Sequence, residues 1–230
     1  MVSIAGLIFW VLVAIVVLSY MFMTTGIDMA RLKAWETFAS RYKLEFERGR
    51  SSADPITVSG LLNNRRIVIY TQPEQTEDER TVRLYSHIEV YLNRFPATRF
   101  IISKKHLHPD MAADMEMPEV YTSTTANWPQ VAVSSTENRA AMESWMTPQR
   151  IKALKSFMDI AGPHDEVMFM GDGEICFLLW RSENALPDAR ELNALVQKIY
   201  AVAREMDSDA TGTTANPNAS SVTVPPEITA

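Results

Sequence analysis

The sequence predicts an α+β protein: an N-terminal transmembrane helix, then one domain in which an antiparallel sheet carries packed helices. Three observations predict it. No charged side chain occurs between Met1 and Ile27. Period-two runs cluster in the first half of the remaining chain instead of alternating regularly with helices. Apolar stripes at helical spacing stand before that cluster and after it, as an α+β arrangement requires.

Val2 to Met23 reads VSIAGLIFWVLVAIVVLSYMFM, and thirteen of these 22 residues are Val, Leu, Ile or Phe. At helical rise they reach roughly 33 Å, enough to cross a hydrocarbon core of about 30 Å. A cleaved signal peptide would carry a basic n-region, a shorter apolar stretch and small residues at its cleavage site. Here Met21-Phe22-Met23-Thr24 is bulky and no Lys or Arg precedes the run, so residues 2–24 are expected to stay as an anchor. Arg31, Lys33, Arg41 and Lys43 follow the span. The positive-inside rule then puts the N-terminus outside and the body in the cytoplasm.

Thr25-Gly26-Ile27-Asp28 is expected to break the helix and cap a new one. Residues 29–43 read as an amphipathic helix through Leu32, Trp35, Phe38, Ala39 and Tyr42. It is expected to pack on the sheet; the other reading, a helix lying on the membrane surface, rests on its basic residues. Leu44–Phe46 begins a first strand. Thr57–Leu62 and Arg65–Thr71 flank Asn63-Asn64, and Asn accepts the positive φ of a tight hairpin turn. The acidic stretch QPEQTEDER at 72–80 reads as a solvated loop. Thr81–Phe95 alternates Val82, Leu84, Ser86, Ile88, Val90 and Leu92 with Arg83, Tyr85, His87, Glu89, Tyr91 and Asn93, a long strand with one buried face.

Arg99–Ser103 is a further short strand, and Val131–Val133 another short run. Ser134 and Glu137 stand at capping-box spacing and predict a helix from about 136 to 145. Thr147-Pro148 opens a helix with Ile151, Leu154, Phe157 and Met158 on its buried side. Glu166–Met170 and Glu174–Trp180 flank Gly171-Asp172-Gly173, a hairpin signal, and the apolar EICFLLW arm is expected at the centre of the sheet. Pro187 opens a last helix to about Met206. The soluble domain therefore spans 27–206, and residues 207–230, rich in Ser, Thr, Pro and Ala, read as a disordered tail.

Composition excludes several classes of function. A net charge of −6 argues against a nucleic-acid binder, which needs basic surface to displace counterions. The one cysteine, Cys176, forms no intramolecular disulfide and lies in an apolar run where a thiolate is disfavoured. There is no G-x-S-x-G elbow. Gly171-Asp172-Gly173-Glu174 has neither the lysine of a phosphate loop nor the oxygen ligands of an EF-hand. Asn218-Ala219-Ser220 matches a glycosylation sequon that a cytoplasmic tail would not present. His106, His108, Asp110, Asp114 and Glu116 offer N/O ligands, and Met111, Met115 and Met117 offer thioethers, without the spacing of a closed metal site. Arg65, Arg66, Lys104 and Lys105 are candidates for a basic patch.

These features resemble a family of uncharacterised bacterial membrane-anchored proteins with one or two N-terminal spans and a single α+β domain. The resemblance rests on WETFASRYKLEF (Trp35–Phe46), VSGLLNNRRIV (Val58–Val68), Met146–Arg150 opening a helix, the Met168–Leu178 hairpin and the closing helix. It implies fold and topology rather than chemistry.

The expected function is a single-pass inner-membrane protein. Its cytoplasmic domain binds a membrane or cytoplasmic protein, or the membrane surface, without catalysis, metal or cofactor. Its first partner is the lipid bilayer, through residues 2–24. The other class is a membrane-tethered enzyme or ligand-binding domain whose site is assembled from His87, Glu89, His106 and His108.

Overall fold

The computed structural model describes residues 4–49, 55–75, 82–104, 120–121, 133–136, 138–183, 186 and 188–208. The chain begins with α1 (Ile4–Tyr42), one unbroken helix of 39 residues. The expected break at Thr25–Asp28 does not occur. A glycine inside a helix costs about 1 kcal/mol, whereas stopping and restarting incurs the unfavourable nucleation step again. Thr25 also turns its hydroxyl onto the Met21 carbonyl at 2.8 Å, so it bonds backward within the helix and caps nothing.

Along α1 the environment changes once. From Ile8 to Met23 the described side chains are exposed apart from half-buried Val13, whereas Ala34, Trp35, Phe38 and Ala39 lie in the core. This helix is long and apolar enough to cross a membrane. Its second part packs into the body, as the helical spacing predicts.

The helix ends at Lys43 in a left-handed conformation (φ 56°), and the chain turns into β1 (Glu45–Glu47). Among the described residues nine strands form one sheet, with β2 (Thr57–Leu62), β3 (Arg65–Gln75), β4 (Val82–Tyr91), β5 (Arg99–Ser103), β6 (Val120–Tyr121), β7 (Val133–Thr136), β8 (Asp165–Asp172) and β9 (Cys176–Ser182). Their order is β1-β2-β3-β4-β9-β8-β5-β7-β6, and every pairing is antiparallel. Asn63 and Asn64 take positive φ (47° and 67°) at the β2–β3 turn, as their composition predicts. β9, the EICFLLW arm, stands fifth of the nine. β3 runs on to Gln75, so the expected loop from 72 begins as strand. β4 stops at Tyr91, short of the expected Phe95.

Among the described residues three further helices follow: α2 (Arg139–Trp145), α3 (Pro148–Met158) and α4 (Ala189–Asp207). The capping-box expectation is overturned. Ser134, Ser135 and Thr136 belong to β7, paired with Ile102, Ile101 and Phe100, and the helix is capped instead by Asn138, whose Oδ1 accepts from Ala141 N at 3.1 Å. Thr147 caps α3 with Pro148 in its first turn. Asp188 caps α4, which continues one residue past the expected end; residues 209–230 lie outside the described residues.

Register assigns the two faces. Val58, Ile67, Ile69, Ile88, Val90, Leu178, Trp180, Val167 and Phe169 share one face and are buried with Trp35, Phe38, Leu154 and Val196 from the helices. Arg150, also buried, ties three helices together. Its Nη1 donates to Trp145 O (2.7 Å), its Nε to Met206 O (2.9 Å), and its guanidinium stacks over the Trp145 ring.

Candidate functional site

The opposite face of the sheet carries the chemistry. Because side chains alternate along a strand, Tyr85, His87, Glu89 and Tyr91 all leave β4 on the side away from the helices. Register places Tyr70 across from His87 on β3 and Arg181 across from it on β9. Glu89 faces Val68 and Leu179, and Tyr91 faces Phe177.

Among the described residues these neighbours contact one another. Tyr70 Oη donates to Glu89 Oε1 at 2.9 Å and Tyr91 Oη to Glu89 Oε2 at 2.7 Å. The Tyr70 ring lies nearly parallel to the His87 imidazole, with centroids 4.6 Å apart. Arg66 stacks over Tyr91 at 4.8 Å and Arg181 over Tyr85 at 4.1 Å, and Arg181 also pairs with Glu166 on β8.

Burial sets the proton affinities. The His87 imidazole is pushed down to about 4, first by burial and then by the positive charge of Arg181. Burial raises Glu89 above the usual carboxylate range, opposed by the two phenol hydrogen bonds and by Arg66. The Tyr91 phenol is raised by burial, then by the neighbouring Glu89 charge. His87 is thus neutral at pH 7, and each oxygen of Glu89 accepts one phenol hydrogen bond. Two residues of the sequence-derived set do come together, but Tyr70 engages both of them, and the pair is not arranged as a histidine–carboxylate relay. His106 and His108, with the rest of the 106–117 ligand set, lie outside the described residues. Among the described residues no three His, Cys, Asp or Glu side chains gather for a metal.

The basic patch expected from Arg65, Arg66 and Lys104 does not form. Arg65 is buried against Asp207 at 2.8 Å, Arg66 lies on Tyr91, and Lys104 donates to the Met158 carbonyl at the end of α3 at 2.9 Å. Lys105 lies outside the described residues. Gly171-Asp172-Gly173 is a turn in which Asp172 Oδ1 accepts from the backbone of Glu174 and Ile175, each at 2.8 Å. Cys176 is buried and its thiol is pushed well up by burial, then by Asp207 and Asp172, which keeps it protonated. Sequence reasoning found His87 and Glu89 but not Tyr70 or Arg181, which only the strand register brings to them.

The His87 shift carries a pH signature. The unfolded chain takes up a proton near 6.5 and the folded chain only near 4. Stability from this group is therefore complete above pH 6.5 and falls, by on the order of 3 kcal/mol, as pH drops to 4. Glu89, shifted the other way, adds stability on acidification and offsets part of the loss. Denaturant titrations at pH 7 and pH 4.5 should show a smaller loss for His87→Phe than for the native chain. Equal losses would remove His87 as the cause.

Comparison with protein-family models, with curated proteins and with solved structures finds no match for this chain.

Proposed function

We propose that the chain is a single-pass membrane protein, its N-terminus outside and its α+β body in the cytoplasm, and that the body is a non-catalytic binding domain for a protein or the membrane surface. One observation carries the reading: α1 is a single helix with an exposed apolar N-terminal part and a buried C-terminal part. In water a row of apolar side chains such as Ile8, Phe9, Trp10, Leu12 and Phe22, each more than half exposed, is costly; in hydrocarbon it is favourable.

The excess of Lys and Arg after the span supports the cytoplasmic side, and the resemblance to bacterial anchored proteins supports the plasma (inner) membrane. Glu89 accepts from Tyr70 and Tyr91, hydrogen bonds that hold the sheet face together, and this structural use of the carboxylate supports binding over catalysis. Protease added to spheroplasts tests the topology. The body is expected to resist digestion until the membrane is opened, and digestion from outside would reverse the orientation. Crosslinking in intact membranes tests the binding role, and failure to recover any reproducible partner, lipid or protein, would count against it.

A further inference from the structure

We infer that the body is seated within the lipid headgroup layer, with Met29 and Lys33 of α1 in contact with phospholipid. This rests on the reading of α1 as a membrane span. The helix is unbroken through the junction, so the span and the body cannot drift apart on a linker. The last residue before the first charge is Ile27, and the first side chain enclosed by the body is Arg31, 3% exposed. Four residues of helix rise about 6 Å, while the headgroup layer on one side of a bilayer is about 5–8 Å thick. The edge of the body therefore falls inside that layer.

The residues in this interval suit it. Ile27, 40% exposed, is the last apolar residue of the uncharged run, and Met29, 57% exposed, adds an apolar contact inside the interval. Lys33 follows Met29 by four residues, on the same flank of the helix, and is exposed. Side chains on a helix lean toward its N-terminus, so the Lys33 ammonium reaches back toward the bilayer, where lipid phosphates attract it. The acid in the interval, Asp28, is held by Arg31 at 3.0 Å and presents little free negative charge to those phosphates. Phospholipid phosphate over an acyl boundary is the chemistry that matches an apolar side chain followed one turn later by a cation.

The test uses the full chain in phosphatidylcholine vesicles containing phosphatidylglycerol, with no other protein present. Single cysteines replace Met29, Lys33, Ser40 or Ile15, all outside the core, and carry an environment-sensitive fluorophore; buried Cys176 stays unlabelled. Nitroxide on the lipid headgroup is expected to quench positions 29 and 33 several-fold more than position 40 on the same flank. Nitroxide on the acyl chain is expected to quench position 15. Equal, weak headgroup quenching at 29, 33 and 40 with strong acyl quenching at 15 would overturn the seating and leave the anchor intact. Absence of quenching at 15 would overturn the anchor, and the seating with it.

Discussion

Replacing Arg65 with alanine is expected to lower the stability of the folded body by about 3–5 kcal/mol, because it strands a carboxylate in a largely dry site. Arg65 Nη2 lies 2.8 Å from Asp207 Oδ2, and the two side chains are 5% and 12% exposed. Its Nη1 also donates to Tyr91 O at 2.8 Å, and the guanidinium lies over the Tyr200 ring. Asp207 accepts in turn from the backbone of Asn93 (3.0 Å) and Arg94 (3.1 Å). One ion pair thus fastens the end of α4 to β3 and to the chain leaving β4. The two backbone donors remain in the variant, which puts the expected loss toward the lower figure. Removing the carboxylate as well, in Arg65→Met with Asp207→Leu, should recover part of it, since apolar replacement of a buried pair is often tolerated. Chemical denaturation of the four members of this cycle measures the coupling, and strict additivity would mean the pair is not coupled.

Replacing Trp35 with alanine is expected to cost about 3–5 kcal/mol in the body while leaving membrane insertion unchanged. Trp35 is fully buried in the core, on the same helix as the exposed apolar part. In the proposed topology insertion depends on residues 2–24, whose favourable transfer is on the order of 4–8 kcal/mol and does not involve position 35. Alkaline extraction should leave the variant in the membrane fraction while its tryptophan fluorescence transition shifts to lower denaturant. The Trp35 indole nitrogen finds no acceptor among the described residues, so Trp35→Phe should cost much less than Trp35→Ala. Release of Trp35→Ala from the membrane would show that the two parts of α1 are not energetically separate.

How much was legible in the residues depended on the range of the interactions. Asn63-Asn64, Thr147-Pro148 and the apolar stripes of α3 and α4 express local physics, and the structure follows them. The alternation along β4 placed His87 and Glu89 together on one face. It gave no sign that Tyr70, seventeen residues earlier, and Arg181, ninety-four residues later, would complete the cluster, because pairing partners are set by the whole sheet. Ser134 and Glu137 failed for the same reason: capping-box spacing is a local preference, and pairing with β5 overrode it. Arg65 and Lys104 read as surface cations because sequence does not display a buried aspartate or a helix end waiting for a donor. Thr25-Gly26 was misread in the other direction, as a break, where continuity of the helix was worth more than the cost of one glycine.

That continuity underlies the proposal that α1, one helix, serves as membrane span at its start and as core element at its end. Hydrogen exchange of backbone amides in the vesicle-bound full chain tests it at residues 24–29. An unbroken helix predicts slow exchange throughout that interval, continuous with the protection of Ala34 to Ala39. Fast exchange at Gly26, Ile27 and Asp28 between two protected stretches would contradict it and restore two helices joined by a hinge.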